Sequence, residues 1–207
     1  MKRHHTSLHT FVQQFLSMAR KYELKKRAER QEETRRRIVE AAIQLHRTKG
    51  PARTTFSDIA ALAGVQRHTL YRHFRDEREM GLACSGLHLE LNPPPDPAEW
   101  AEIENPGRRL RVGLESLYAW YEQNEDMFSC VFRDAEVDPV TREVVELRGT
   151  EPMSRIRRSL AEGLGDERPV QAALDLALDF HAWRRLWSSG LDPAEAADLM
   201  AAAVLRV

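Results

Sequence analysis

The chain has 207 residues, of which 42% are hydrophobic and 30% charged, and its 31 Lys/Arg nearly balance its 32 Asp/Glu for a net charge of −1. No run of about 18 apolar residues occurs, which excludes a transmembrane helix. Cys84 and Cys130 are the only cysteines and form no C-x-x-C, so neither a zinc ribbon nor a disulfide framework is implied and a reducing, cytoplasmic location is expected. The overall charge conceals a split, because residues 1–90 carry 18 Lys/Arg against 10 Asp/Glu and the remainder carries 13 against 22. A basic head on an acidic body points to a polyanion partner for the head alone.

The first 17 residues say little. Phe11, Phe15, Met18 and Tyr22 fall at one helical face, while Thr10, Gln13, Gln14 and Ser17 interrupt any signal-peptide apolar run. Met18 is an alternative start, so Met1 to Ser17 need not belong to the functional protein. His5 and His9 have the i, i+4 spacing of a metal pair, but no acidic or cysteine companion lies nearby, and no metal or cofactor is expected. Between Arg20 and Arg37, nine Lys/Arg alternate with four Glu without Gly or Pro. That pattern reads as a solvated, salt-bridged helix, or as a flexible basic arm able to follow phosphates or enter a minor groove. Thr34 to Lys49 is the first well-patterned helix, with Ile38, Ala41, Ala42 and Leu45 on its stripe and Gly50-Pro51 at its end.

The stretch from Thr54 to Phe74 reads as two short helices around a tight turn. Thr55 and Asp58 have capping-box spacing, and Ile59, Leu62 and Ala63 share a face. Gly64 supplies the positive φ of a helix end. The second helix, Arg67 to Phe74, turns Leu70, Tyr71 and Phe74 inward, and leaves Arg67, His68, Thr69, Arg72 and His73 outward. A helix, a glycine turn and a helix with a basic outer face is the helix-turn-helix plan. On spacing alone the other reading is an αα-hairpin with a solvated charged face.

This run resembles the DNA-binding signature of TetR-type transcriptional regulators, roughly T-x-x-x-I-A-x-x-A-G-V-x-x-x-T-L/V-Y-x-H/Y-F. Thr55, Ile59, Ala60, Ala63, Gly64, Val65, Thr69, Leu70, Tyr71, His73 and Phe74 occupy its positions. Two residues depart from the family pattern: Gln66 replaces the usual capping serine, and Glu77 replaces the usual lysine, with Arg78 beside it as a substitute. The resemblance implies an all-α protein, with an N-terminal three-helix helix-turn-helix domain and a helical-bundle effector-binding and dimerisation domain. It divides the chain into a basic extension (1–31), a DNA-binding domain (32–78) and a ligand-binding and dimerisation domain (79–207). The DNA-contacting set is Arg53, Thr54, Thr55, Gln66, Arg67, His68, Thr69, Tyr71, Arg72, His73 and Arg78. Within it, Arg67 and His68 are the candidates for base reading, and Tyr71 and Thr55 for phosphates.

After Phe74, Asp76 and Glu79 form a second candidate capping box, and Met80, Ala83, Cys84, Leu87 and Leu91 make the stripe of a linking helix ended by Pro93-Pro94-Pro95. Helices are then expected over Pro106 to Asn124, over Pro139 to Arg148 and Pro152 to Leu164 with a break at Gly149, over Pro169 to Ser188, and from Pro193 onward. Trp100, Tyr118, Trp120, Tyr121, Phe128, Phe180 and Trp183 are candidates for an apolar pocket, with His181 and Arg184 as polar anchors; the plainer reading makes most of them simple core and His181 a satisfied core histidine. Trp187, Ala197, Met200, Ala201 and Val204 form the stripes that would suit a partner subunit, and family resemblance implies a homodimer through the last two helices. The expected function is a ligand-responsive repressor that binds a palindromic double-stranded operator as a dimer, with an unknown small-molecule effector and no membrane. A nonspecific nucleic-acid packaging protein is the alternative. An enzyme is the weaker one, since there is no phosphate loop, H-E-x-x-H or nucleophile elbow.

Overall fold

The computed structural model describes the backbone of residues 6–207 and the side chains of residues 20–207. The side chains of His5, His9, Phe11, Phe15 and Met18 lie outside the described residues. Every regular element among the described residues is an α-helix or a short 3₁₀ turn, and none of these helices is long and apolar enough to cross a membrane.

Helix α1 (Thr6–Thr48) is one unbroken element of 43 residues, about 65 Å at 1.5 Å per residue. Thr34 therefore opens nothing; its hydroxyl donates to the Arg30 carbonyl inside the helix at 2.8 Å. The charged run from Arg20 is helical rather than a flexible arm, and residues 20–33 are exposed on every side. Pairs such as Arg36–Glu40 (2.9 Å) follow the i, i+4 rule. Helices α2 (Phe56–Leu62) and α3 (Arg67–His73) pack on the end of α1 around Ile38, Ala42, Ile59, Leu70 and Phe74, all fully buried.

Helix α4 (Glu77–Leu91) leads into the body, and Asp76 caps it by accepting from the Glu79 N–H at 2.8 Å. The reciprocal half of the expected capping box is missing, because the Glu79 carboxylate turns to the Arg75 N–H instead (3.0 Å). The body consists of α5 (Pro106–Gln123), α6 (Glu125–Ala135), α7 (Pro139–Ala161), α8 (Arg168–Leu178), α9 (Phe180–Ser188) and α10 (Pro193–Leu205).

Two expected boundaries are corrected here. No break occurs at Gly149, since α7 runs through both Gly149 and Pro152. An internal proline costs about 3 kcal/mol through its missing N–H and ring clash. Burial of Val144 before it, and of Ile156 and Leu160 after it, holds the helix together. The single helix expected over Pro169 to Ser188 is instead two. Asp179, with ψ 129°, ends α8 and caps α9, its carboxylate accepting from the Ala182 N–H at 2.8 Å. The carbonyls of Ala177 and Leu178 at this break would be unpaired in the core. The buried hydroxyls of Tyr118 and Tyr121 donate to them at 2.7 and 2.8 Å, which meets the demand that buried backbone groups be paired. Leu62, Tyr71 and Leu91, all expected inside, are exposed by 45%, 45% and 63%. In α2 the buried face is made by Phe56, Ile59, Ala60 and Ala63, so Leu62 falls on its edge.

Head and body meet where α1 ends against α6. Arg133 donates to the Lys49 carbonyl (2.8 Å), and the buried Asp134 accepts from the Ala52 N–H (3.0 Å) while pairing with Arg133. Gly50 has φ +93°, and a Cβ there would collide with the Asp134 carboxylate, so both the conformation and the space require glycine. Arg47 pairs with Asp126 at 3.4 Å, and the Cys130 thiol donates to the Arg47 carbonyl at 3.4 Å. On the opposite side, Arg78 pairs with Glu143 at 2.9 Å and Arg148 donates to the Leu82 carbonyl at 2.9 Å.

His46 is buried in this joint. Burial pulls its pKa down to about 4, against the opposing pull of Asp134. Between an unfolded-state value near 6.5 and that folded value, only the unfolded chain takes up the proton, so stability is complete above pH 6.5 and is lost as the pH falls toward 4. We expect the stability difference between the wild type and His46→Leu to shrink by about 2–3 kcal/mol between pH 7 and pH 4.5. Denaturant unfolding at both pH values checks this; a difference that stays constant would mean that His46 titrates as a solvated histidine.

Candidate nucleic-acid interface

Local chemistry fixes the shape of the α2–α3 unit. The Thr55 hydroxyl accepts from the Asp58 N–H (3.1 Å), and the Asp58 carboxylate accepts from the Thr55 N–H (3.2 Å), so the expected capping box is complete. These bonds and nearby Lys49 hold the Asp58 carboxyl below its ordinary pKa. Gly64 turns the chain at φ +64°, and the Val65 N–H returns to the Ala60 carbonyl at 3.0 Å. Gln66 stands at the start of α3 without a side-chain cap, as the departure from serine implied.

Arg67, His68, Tyr71 and Arg72 are exposed on the outer face of α3, while Thr69 and His73 are half-buried. Tyr71 is thus an outer-face residue. The Arg67 guanidinium lies 5.5 Å from the centre of the Tyr71 ring and donates to its hydroxyl at 3.1 Å. Such stacking is worth about 0.5–1 kcal/mol at exposed sites and orders both side chains before any partner arrives. Beneath them, Phe56 packs on Tyr71 with ring centres 5.3 Å apart. Burial, followed by the charges of Arg72 and Arg35, holds His73 below its ordinary pKa. His73 therefore takes up a proton less readily than a solvated histidine.

Arg53, Thr55 and Gln66 belong to the same unit, and all three are exposed. Two members of the expected set are withdrawn from it. Thr54 is buried, and its hydroxyl donates to the Gly50 carbonyl at 2.7 Å. Arg78 is engaged with Glu143, so it ties α4 to α7 rather than replacing the missing lysine. Arg35, not singled out in the sequence, lies over the Phe74 ring at 4.9 Å.

A cavity of about 270 Å³ separates head from body. Of the expected pocket residues, Trp120, Tyr121 and Phe128 line it. Trp100, Tyr118, Phe180 and Trp183 are buried but do not line it: Trp100 donates to the Ser159 hydroxyl, and Phe180 and Trp183 pack on each other. His181 is exposed on α9 and Arg184 pairs with Glu125 at 2.8 Å, and neither is among the residues lining this cavity. Most of the other lining residues went unrecognised as such in the sequence, among them His46, Phe56, Ile59 and His88. The signal for the two histidines was a polar residue four positions after Ala42 and Cys84 on otherwise apolar stripes. His88 stands edge-on to Phe128, and its Nε2 has no hydrogen-bond partner among the described residues. Burial, then the charge of Arg47, lowers its pKa.

The expected partner seam is also redrawn. Ala197, Ala201 and Val204 are buried in the chain's own core, where α10 packs on α5, and Met200 is half-buried against the same core. Trp187, 36% exposed, stacks on Trp183. Leu176, Leu199 and Leu205 are the more exposed apolar residues of these helices.

Residues 38–84 match the bacterial regulatory proteins of the tetR family. Over 52 residues the chain is 48% identical to the HTH-type transcriptional regulator TtgR of Pseudomonas putida, a stretch that spans 25% of each protein. Over most of its length it is similar in fold to the TetR family transcriptional regulator PfmR from Thermus thermophilus, with a TM-score of 0.55 at 24% identity, covering 82% of this chain and 97% of that one. It is also similar to HlyIIR, a hemolysin II transcriptional regulator, with a TM-score of 0.62 at 16% identity over 84% and 97% of the two chains.

The Arg67–Tyr71 pair yields a two-sided expectation. Loss of one bidentate arginine–guanine contact costs about 1–3 kcal/mol of discrimination, whereas loss of a phosphate contact weakens binding to every sequence alike. Arg67→Ala should therefore narrow the gap between selected and random duplexes, and Tyr71→Phe, which loses a phosphate donor but keeps the ring on which Arg67 stacks, should lower affinity for both about equally. Fluorescence anisotropy with the two duplexes measures this, and a Tyr71→Phe protein with changed sequence preference would remove the tyrosine from the phosphate-binding set.

Proposed function

We propose that this chain, which belongs to the TetR family of bacterial regulatory proteins through its residues 38–84, is a repressor that binds a palindromic operator as a homodimer and releases it when a small molecule enters the body. The observation that carries this reading is the outer face of α3, on which Arg67, His68, Tyr71 and Arg72 are exposed on a unit fixed by the Thr55–Asp58 capping box. Residues 32–78 then read the duplex, residues 79–207 hold effector and partner, and residues 1–31 add basic charge. A cytoplasmic protein without enzymatic activity follows from this reading. A dimer places its two reading helices about one DNA turn apart, roughly 34 Å. A change of a few ångströms in that separation breaks simultaneous contact with both half-sites.

Selection of duplexes from a random pool tests the operator. An enriched inverted repeat is expected; enrichment of no motif would favour nonspecific packaging. For the dimer, Leu199 is a better target than Met200, because Leu199 faces solvent in the single chain while Met200 also supports the chain's own core. A charge buried in an apolar interface costs several kcal/mol, and the second head of a dimer binds at high effective concentration. Leu199→Glu should sediment as a folded monomer and bind the selected repeat at least about 100-fold more weakly. A variant that stays dimeric with undiminished affinity would place the interface elsewhere.

A further inference from the structure

The cavity has walls from both halves of the chain. Phe56 and Ile59 of α2, which belong to the head's core, face it from one side, and Trp120 and Phe128 of the body face it from the other. We infer that its occupant is an uncharged, largely apolar molecule, and that this molecule acts on the DNA-reading helix directly, through Phe56 pressed against Tyr71. The inference rests on the ligand-responsive function proposed above, and adds to it the class of the effector and the route of its action.

The ligand class follows from what the wall can supply. Arg148, the one Lys or Arg among the lining residues, already donates to the Leu82 carbonyl and the Ser85 hydroxyl. Asp138 accepts from both the Thr141 N–H (2.8 Å) and the Thr141 hydroxyl. Glu77 is exposed at the start of α4. His46 and His88 are both held below their ordinary pKa by burial. Arg148 and Glu77 are exposed at the edge and Asp138 is half-buried and held by Thr141, so no buried counter-charge waits in the wall, and an ionised ligand would give up its hydration for weak, solvent-screened pairing. The Tyr121 hydroxyl is committed to the Leu178 carbonyl, so that residue presents only its ring. A hydrogen bond remains available at His88, whose Nε2 is otherwise unmatched.

The route follows from contiguous packing. Phe56 lines the cavity and touches the Tyr71 ring, and Tyr71 in turn holds Arg67 by stacking and by a hydrogen bond. Close-packed side chains cannot absorb a displacement locally. A ligand that moves the Phe56 ring therefore moves the two residues of α3 that are the candidates for phosphate and base contact.

Two dyes of one skeleton provide the test: the neutral N-phenyl-1-naphthylamine and its anionic counterpart 8-anilinonaphthalene-1-sulfonate. The neutral dye should brighten to saturation at one molecule per chain, and bind at least about tenfold more tightly than the sulfonate. At saturation it should change amide hydrogen exchange over residues 67–73 by about threefold or more, together with changes over residues 77–91. Phe56→Leu, saturated with the same dye, should keep the response over 77–91 and lose that over 67–73. Equal or tighter binding of the sulfonate overturns the ligand class. If 67–73 stay silent in the unsubstituted protein while 77–91 respond, or if the Phe56→Leu response over 67–73 equals that of the wild type, the route is overturned and the ligand-responsive reading stands. Failure of both dyes to bind removes the ligand-responsive reading itself.

Discussion

The placement of the head depends on one buried carboxylate. Asp134 sits near the end of α6, accepts from the Ala52 N–H just beyond α1, and is held in turn by Arg133, which also caps the Lys49 carbonyl. A buried ion of this kind is costly unless every lone pair is used, and removal of one partner leaves an uncompensated charge. The bonds also dictate backbone shape, because Gly50 must pass close beside the carboxylate at positive φ. The orientation of α2 and α3 relative to the body is thus set by a polar lock together with the apolar contacts of α4 and Ile43, and the polar part has the stricter geometry.

Within the body, the break at Asp179 has a similar status. An unbroken helix would continue in a straight line; the break turns α9 so that Phe180 and Trp183 enter the core. Tyr118 and Tyr121 make the break tolerable by pairing its two carbonyls. The same bonds immobilise Tyr121 on the cavity wall, where its ring meets Trp120, Phe128 and Phe180. The shape of the cavity is therefore partly a by-product of satisfying the backbone at the break between α8 and α9.

Local chemistry made the head legible in the sequence: Thr55 with Asp58, Gly64, and Leu70 with Phe74 each have a short-range cause, and each appears in the fold as expected. Tertiary causes hid the remainder. Pro152 and Gly149 are strong local breakers, yet burial on both sides keeps α7 whole, and nothing local marks Asp179 as a stop until the tyrosines of α5 are in place. Period alone cannot say which neighbour covers a stripe, and so Ala197, Ala201 and Val204 read as a seam for a partner although α5 covers them. Position alone puts Thr54 and Arg78 at DNA, but Thr54 is hidden from solvent and Arg78 is taken by Glu143, a partner distant in sequence. The cavity was the least legible feature, because part of its wall comes from head residues whose pattern is simply that of core.

The charge split of the chain gains a sharper meaning from the helical state of its basic segment. The nine Lys/Arg between Arg20 and Arg37 lie on a continuous helical rod that ends in the head, not on a flexible strand. A rod about 10–12 Å across is too wide for a minor groove of roughly 6 Å, so the role proposed for it on a duplex is salt-sensitive attraction to phosphates rather than minor-groove insertion. The acidic body opposes such attraction everywhere except at the head end. Under the proposed function, the two charges together favour one orientation of approach, with α3 toward the phosphates, and sequence discrimination falls to the few side chains of α3 that Phe56 and Tyr71 hold in place.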